Sequence, residues 1–480
     1  MKTPLRLFSA LAAALALFSF SCSGLAPERA APQRNPAGAV PAPKYIFLFL
    51  ADGAGTAHME ITRQYNRLIH DEGLVITDKI IKEGVLGLMT THAADYLSTD
   101  SAAAATALGS GCKANTGALG MCADGSVPKT VMELAKENSM RVGIVTNAPV
   151  YDASPAAFVC HVPDRRLYSK IVDRYLEFEP QILFGGGRDQ FLAKNEPGGR
   201  REDNTNVIQA FLKKGYRYAS TKAELEEIKG PNVLGLFGLR FMSFEIDRDQ
   251  TTEPSVYDMT RAAIRILQEG NSRGFVVFIE NENVDSAGHF SDAAAMIRDY
   301  REFDRAVGLA YEFYRKHPRE TLILVTADHE TGGLSFVQAL KDLTSTSDEN
   351  RLAATAEDIR KLHSIRISLL KAAQTLGRQP TAVAIDQLMA EYFKGFVLAP
   401  EYKEAILKKQ ILTRTHFSDP TTVALGLMVA NNTQAYWHTT SHTNQPVFVA
   451  ALGTGAQRFA GYYDNADFGK KLLGILDSKE

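Results

Sequence analysis

The stretch YIFLFLAD, Tyr45–Asp52, is an apolar run that ends in a carboxylate. Similar short apolar runs recur along the chain at Val142–Thr146, Gln181–Phe184, Val233–Phe237, Phe275–Ile279, Leu322–Thr326 and Val447–Leu452. Unbroken runs of this length are typical of strands buried on both faces. Helical patterns fall between them, at Thr130–Glu137, Leu167–Leu176, Val256–Glu269 and Ala293–Lys316. The alternation predicts an α/β fold of three layers, with helices on both faces of a central, largely parallel sheet.

One region departs from this alternation. From about residue 337 to 435 strand signals vanish and charged helical patterns dominate, including Ala356–Leu370 and Ile385–Tyr392. Because the Val447 strand follows this region, we expect an inserted helical lobe within one catalytic domain that spans residues 44–470.

The first residues read as an export signal. Lys2 and Arg6 precede an apolar run, Leu7–Phe20, that is short for a permanent membrane span. We expect a signal peptide over residues 1–21 and an Ala- and Pro-rich tether over residues 22–43. Cys22 lies in a loose lipobox, so a lipid anchor on Cys22 and a plainly cleaved signal peptide are both open. Either reading predicts an exported protein of the periplasm or cell envelope.

Composition excludes some functions. The chain of 480 residues has a formal net charge of -2, which differs from the basic surface of a nucleic-acid-binding protein, so no nucleic-acid specificity is expected. Any anionic substrate must therefore be bound by positive charge that is local to its site. Cys112 and Cys122 lie close together in the sequence of an exported chain, and the sequence does not decide whether they form a local disulfide. Cys160 follows an apolar stretch and is predicted to be a small buried residue.

Polar side chains follow four of the predicted strands. Asp52 follows the first strand. The others are Asp152 and Ser154 after the Val142 strand, Glu280, Asp285 and His289 after the Phe275 strand, and Asp328 and His329 after the Leu322 strand. A lone Asp after a strand is usually a helix cap. Four such strand ends side by side would crowd carboxylates together, which requires cations, and the imidazoles favour zinc.

Ser101 begins an Ala-rich helical segment, Thr99–Ala107, whose small residues leave its hydroxyl accessible. Backbone N–H groups at a helix N-terminus attract anions. An ordinary N-cap is the alternative interpretation. A hydroxyl near zinc, however, can ionise to a nucleophile without a histidine base.

These segments resemble the alkaline phosphatase family. Thr99–Ala102 is similar to its nucleophile motif, Ala51–Gly55 to its first metal loop, and Thr326–His329 to its paired ligand motif. Glu280, Asp285 and His289 have the family's spacing, and Asp152–Ala157 leads to Arg165 at the expected offset. The resemblance covers about three quarters of the chain, since the family's bacterial prototype lacks the helical insertion.

The resemblance implies two zinc ions and one magnesium ion. The residues implied for one zinc are Asp285, His289 and His442. Those implied for the other zinc are Asp52, Asp328 and His329. The magnesium would share Asp52 and add Glu280 and Ser154. His442 is preferred over His438 because Ser-His-Thr directly before a core strand is the family pattern.

The resemblance also implies the reaction. Ser101 would attack a phosphate monoester and become a phosphoserine, Arg165 would bind two phosphate oxygens, Asp100 would orient Arg165, and Asp152 would hold water beside the magnesium. The expected partners are small phosphate monoesters, and a homodimer is compatible with the family. The rivals are a phosphodiesterase of the same superfamily and a non-catalytic phosphate-binding lipoprotein. A sulfatase would need x-Pro-x-Arg after its nucleophile, which Ser101–Ala104 lacks.

Two positions depart from the family pattern. Glu282 is an additional acid, which we expect to be solvated, and Ser286 stands where the bacterial prototype has a lysine. The other histidines singled out, His58, His92 and His161, are expected to be structural or solvated.

Overall fold

The computed structural model describes residues 42–340, 351–412 and 419–477. The predicted signal peptide, Cys22 and nearly all of the tether therefore lie outside the described residues. The described residues belong to a single compact unit. Among them, every helix is too short or too polar to cross a membrane.

The strands of the structure have the following bounds in chain order. They are β1 (Tyr45–Ala51), β2 (Val85–Met89), β3 (Arg141–Pro149), β4 (Ile182–Gly186), β5 (Arg217–Ala219), β6 (Val233–Leu236), β7 (Phe275–Asn281), β8 (Thr321–Thr326), β9 (Glu330–Thr331), β10 (Ser335–Phe336), β11 (Gln338–Leu340), β12 (Arg351–Ala353), β13 (Ala435–Tyr436), β14 (His442–Thr443), β15 (Val447–Gly453) and β16 (Gly461–Tyr463).

Ten of these strands form the central sheet, in the order β16-β2-β15-β8-β1-β7-β3-β4-β6-β5. All neighbouring strands are parallel except β15, which runs antiparallel to both β8 and β2. β1 lies between β7 and β8 and is buried along its whole length. The α/β fold with a largely parallel sheet is therefore confirmed, and all seven predicted strands are present.

The helices complete the fold. They are α1 (Thr56–His70), α2 (Ser101–Ser110), α3 (Val131–Glu137), α4 (Ala153–Ala157), α5 (Tyr168–Phe178), α6 (Val207–Lys213), α7 (Lys222–Glu227), α8 (Val256–Gln268), α9 (Asn283–His289), α10 (Ala293–Lys316), α11 (Ala356–Ser364), α12 (Leu369–Leu376), α13 (Ala382–Tyr392), α14 (Pro400–Lys408), α15 (Pro420–Thr433) and α16 (Asn465–Leu476). Helices α1, α8 and α10 pack together, as do α2, α3 and α16, and the two groups flank the sheet. The last helix continues past residue 470.

The region 337–435 contains helices α11 to α15, with two differences from the sequence-based expectation. The predicted helix Ala356–Leu370 is two helices, because Ile365 is extended and Ser368 caps α12 by accepting a hydrogen bond from Lys371 N at 3.0 Å. The short antiparallel pair β11–β12 also lies in this region. Strands of three residues are too short to show an alternation in the sequence.

The cysteines are placed as follows. Cys112 and Cys122 form a disulfide, which the sequence left open. Cys160 is buried and free, as predicted, and burial raises the pKa of its thiol.

Candidate active site

The carboxyl ends of β1, β3, β7 and β8 meet at one edge of the sheet, and their following residues carry the predicted side chains. The start of β15 lies at the same edge because this strand is antiparallel, with Val449 paired to Thr326. Just before it, β14 pairs His442 with Thr331. One polar site therefore contains residues that follow strands β1, β3, β7 and β8 together with His442 of β14.

The first group in this site contains Asp285, His289 and His442, whose ligand-type atoms lie within 4.8 Å of one another. His289 Nε2 is 3.0 Å from Asp285 Oδ2, and His442 Nε2 is 3.7 Å from Asp285 Oδ1. The Nδ1 atoms of both histidines donate to backbone carbonyls, of Thr440 at 2.7 Å and Thr99 at 2.8 Å. These bonds direct the Nε2 lone pairs toward the same space, as in zinc sites.

The second group contains Asp52, Asp328 and His329, all buried. His329 Nε2 is 3.1 Å from Asp328 Oδ2 and 3.6 Å from Asp52 Oδ1. Ser101 Oγ lies 3.2 Å from the same nitrogen. Mixed imidazole and carboxylate ligands suit zinc, and the hydroxyl of Ser101 would stand beside such an ion.

A third group offers only oxygen atoms. Ser154 Oγ donates to Asp52 Oδ2 at 3.1 Å, and Thr146 Oγ1 donates to Glu280 Oε2 at 2.5 Å. Glu280 Oε1 is buried without a hydrogen-bond partner among the described residues, whereas Asp52 Oδ1, also without one, faces His329 of the second group. An all-oxygen set fits magnesium. The role of Thr146 was missed because a threonine inside an apolar strand carries no distinguishing sequence signal.

Arg165 lies beside these groups and is held by two carboxylates. Its Nη1 donates to Asp100 Oδ2 at 3.1 Å and its Nη2 to Asp152 Oδ1 at 3.2 Å. Asp100 also caps α2 by accepting from Ala103 N at 3.0 Å. Burial lowers the pKa of Arg165, but the charges of Asp152 and Asp100 outweigh it and raise the pKa. A fixed, charged guanidinium therefore stands at the N-terminus of α2, beside Ser101.

Burial and mutual repulsion make the ionised forms of these carboxylates unfavourable when no cation is bound. Burial and the charge of Asp328 raise the pKa of Asp52 well above its ordinary value. Burial raises the pKa of Glu280 to about 8, against opposing hydrogen bonds, and burial with the charge of Asp285 raises the pKa of Asp328 to about 7. Burial opposes ionisation of Asp285 as well, yet the neighbouring histidines hold its pKa below the ordinary value. Bound cations would relieve this repulsion.

The expectation for Glu282 was wrong. This side chain is only 5% exposed, and its Oε1 accepts a hydrogen bond from Ser286 Oγ at 2.7 Å. Its backbone N–H donates to the buried Asn147 Oδ1 at 2.7 Å, which fixes the turn between β7 and α9. The side chain thus faces the site, a direction that local sequence does not specify.

The remaining histidines do not join the ligand groups. His438 is exposed. His58 is buried beside the loop Ala51–Gly55, where its Nδ1 accepts from Gly55 N at 3.2 Å. His161 lies between Gly120 O and Glu133, and His92 lies 3.7 Å from Asp464.

A cavity of about 1000 Å³ opens onto the groups described above. The cavity is lined by Asp52, Ser101 and Arg165, by Phe241 and, from α12 of the inserted region, by Lys371. This volume exceeds that of a phosphate group, so the site has room for an organic leaving group.

Comparison with known proteins gives the family and the fold of the chain. Residues 43–477 match the family model described as alkaline phosphatase. The chain is 29% identical to alkaline phosphatase 3 of Bacillus subtilis, over 99% of this chain and 98% of the relative. It is 28% identical to alkaline phosphatase 4 of the same organism, over 90% of this chain and 88% of the relative. The structure of the Thermus thermophilus alkaline phosphatase superposes with a TM-score of 0.80, at 26% identity over 93% of this chain and 95% of that one.

Proposed function

The chain belongs to the alkaline phosphatase family and is a phosphatase, and from this premise we propose that it hydrolyses phosphate monoesters through a phosphoserine on Ser101. The observation that carries the proposal is the position of the Ser101 hydroxyl. It lies 3.2 Å from His329 Nε2, and Ser101 lines the same cavity as Asp52 and Arg165. A hydroxyl in this position can reach the phosphorus of a phosphate group whose oxygens would be bound by Arg165 and by cations in the two groups.

The donor sets support three cations. Two groups combine carboxylate with imidazole, which suits zinc, and one is built of oxygen alone, which suits magnesium. When bound, these ions would lower the pKa of the Ser101 hydroxyl and of a hydrolytic water and stabilise negative charge on the leaving oxygen.

The residues of the chain perform the remaining work. Arg165 binds two non-bridging phosphate oxygens with its planar fork, and Asp100 and Asp152 keep that fork oriented. Ser101 Oγ attacks phosphorus in line as the ester oxygen departs. Water then attacks the phosphoserine from the opposite side, which returns the serine and releases phosphate. Two inversions give net retention at phosphorus.

Two alternatives are distinguished by rates. A phosphodiesterase would prefer bis-nitrophenyl phosphate to nitrophenyl phosphate, whereas a third oxygen site and Arg165 favour the bare phosphate of a monoester. A non-catalytic phosphate-binding protein would turn over neither ester and would not need a nucleophile.

The decisive experiment pairs metal analysis with monoesterase rates of the purified protein and of its Ser101→Ala variant. We expect two zinc ions and one magnesium ion per chain and a burst of phosphoenzyme in wild type. A protein that binds these ions without turning over the monoester would refute the proposal.

We further propose export and anchoring through Cys22, argued from the sequence alone. Bacterial lipoproteins carry several acyl chains on this residue, so anchoring would be firm. Wild-type protein should fractionate with membranes and Cys22→Ala should not. Recovery of the wild type wholly in the soluble periplasmic fraction would contradict the anchor.

A further inference from the structure

The loop that follows β6 carries an exposed aromatic side chain on the catalytic cavity. Phe241 lines this cavity and is 49% exposed, whereas Phe244 of the same loop is buried, with its ring 6.4 Å from that of Phe290. Single exposed apolar side chains are common on protein surfaces, so exposure alone indicates no function. Phe241 differs from such side chains because it lies on the cavity that contains the nucleophile.

Backbone hydrogen bonds hold this loop on both sides of Phe241. Gly187 N donates to Arg240 O at 2.8 Å, directly before Phe241, and Met242 N donates to Asn147 O at 3.0 Å, directly after it. A backbone held at both neighbouring residues is already ordered when a ligand arrives. Contact between a ligand and the Phe241 ring therefore costs little additional conformational entropy.

Helix α12 of the inserted region contributes a second part of the cavity lining, which includes Lys371. The start of this helix is bound to the catalytic core by two aspartates. Ser368 N donates to Asp247 Oδ1 at 3.0 Å, and Leu369 N donates to Asp292 Oδ2 at 2.6 Å. The first turn of α12, which includes Lys371, is therefore fixed at the cavity.

Lys371 is a cationic side chain without a carboxylate partner among the described residues, and it is exposed. The three arginines of the cavity each have a carboxylate nearby, at 3.1 Å for Arg165, 2.6 Å for Arg166 and 3.8 Å for Arg240. The ammonium group of Lys371 can therefore interact with an anion in the cavity without first breaking an ion pair of this kind.

We propose that Phe241 and Lys371 determine leaving-group specificity, so that the chain prefers phosphate monoesters whose leaving group combines a flat apolar ring with a second negative charge. The ring packs against Phe241, and the negative group is attracted by Lys371. The charge interaction is that of an exposed pair, so it is modest and is screened by salt. The inference rests on the proposed function, since it names the class of monoester that the same cavity takes.

The inference is tested with substrates that differ in one property of the leaving group. Para-carboxyphenyl phosphate and para-carbamoylphenyl phosphate have similar shapes and differ in charge, while glycerol phosphate lacks the ring. Lys371→Gln should lower the ratio of kcat/KM for the carboxyl ester over the carbamoyl ester by about threefold, and high salt should remove this effect. Phe241→Ala should lower the ratio for the carbamoyl ester over glycerol phosphate by about fivefold. Each ratio is compared with that of the wild type, so the intrinsic reactivity of the esters cancels.

Leu239→Ala and Lys394→Gln are the matched controls. Leu239 is an exposed apolar residue of the same loop and Lys394 is an exposed lysine of the inserted region, and neither is among the residues that line the cavity. Both ratios should stay as in wild type in these variants. An unchanged ratio in either Lys371→Gln or Phe241→Ala would overturn the inference.

Binding distinguishes this inference from the proposed function. The three esters are titrated by calorimetry into Ser101→Ala protein, alone and combined with Phe241→Ala or Lys371→Gln, and the dissociation constants should change by the same factors as the kinetic ratios. Wild-type turnover with unchanged ratios would overturn the inference and leave the proposed function standing. Absence of wild-type turnover would overturn the proposed function, and the calorimetric ratios would still decide the roles of Phe241 and Lys371.

Discussion

His289 and His442 face each other with their Nε2 atoms 3.2 Å apart. Both Nδ1 atoms donate to backbone carbonyls, so in the neutral rings the facing nitrogens both carry lone pairs. Two lone pairs at this distance repel unless a positive charge lies between or beside them. The arrangement therefore favours a cation held with Asp285.

Replacing the nucleophile should separate chemistry from metal binding. Ser101→Ala should lower monoester turnover by at least about a hundredfold and abolish the phosphoenzyme burst, because it removes the attacking oxygen. Both zinc ions should remain by atomic absorption, since no proposed zinc ligand is lost. Near-normal turnover would rule out the covalent route.

Arg165→Ala should mainly weaken binding of substrate and phosphate. Loss of a bidentate, charge-assisted contact costs about 2 kcal/mol, or roughly thirtyfold in the phosphate inhibition constant. Arg166→Ala is the control, because Arg166 lines the same cavity but is exposed and paired with Asp164. Equal effects of the two variants would contradict the assigned role of Arg165.

The choice between two histidines can be tested by zinc content. His442→Ala should release one zinc equivalent, because His442 Nε2 faces Asp285 and His289. His438→Ala should retain both, since His438 is exposed. If His438→Ala instead lost zinc, the ligand assignment would be wrong.

The chelated protein should lose stability as the pH rises from about 6.5 to 8. Folding raises the pKa of Glu280 to about 8 and that of Asp328 to about 7, so in this window the folded state binds more protons than the unfolded state. The free energy of unfolding then falls with increasing pH. Folding lowers the pKa values of His329 and His442, which makes the free energy of unfolding rise with pH. This opposite effect acts chiefly below pH 6.5, the ordinary pKa of histidine.

Thermal unfolding in the presence of a chelator measures this slope. The melting temperature should fall across the window, and Glu280→Gln should reduce the slope because glutamine does not titrate. In protein loaded with zinc and magnesium the melting temperature should change little across this pH window, since the cations neutralise the carboxylates. A chelated protein that became more stable toward pH 8 would contradict the argument.

The sequence predicted those parts of the molecule that depend on local pattern. Strands such as β1 are unbroken apolar runs, and a parallel sheet brings their carboxyl ends to one edge. β2 was missed because it is short, is interrupted by Gly87 and alternates between buried and exposed residues. Glu282 was wrongly expected to be solvated because its direction depends on Asn147 and Ser286, contacts that no local pattern encodes.

The antiparallel strand β15 has a consequence for biosynthesis. It holds the preceding β14, with His442, at a site whose first residue, Asp52, follows β1, so the site is completed only by a segment far along the chain from its first residue. A nascent chain that has not yet emerged through β14 lacks a ligand of the first group. Because metal binding and folding are coupled, we expect the first group to take up metal only after translation has passed β14.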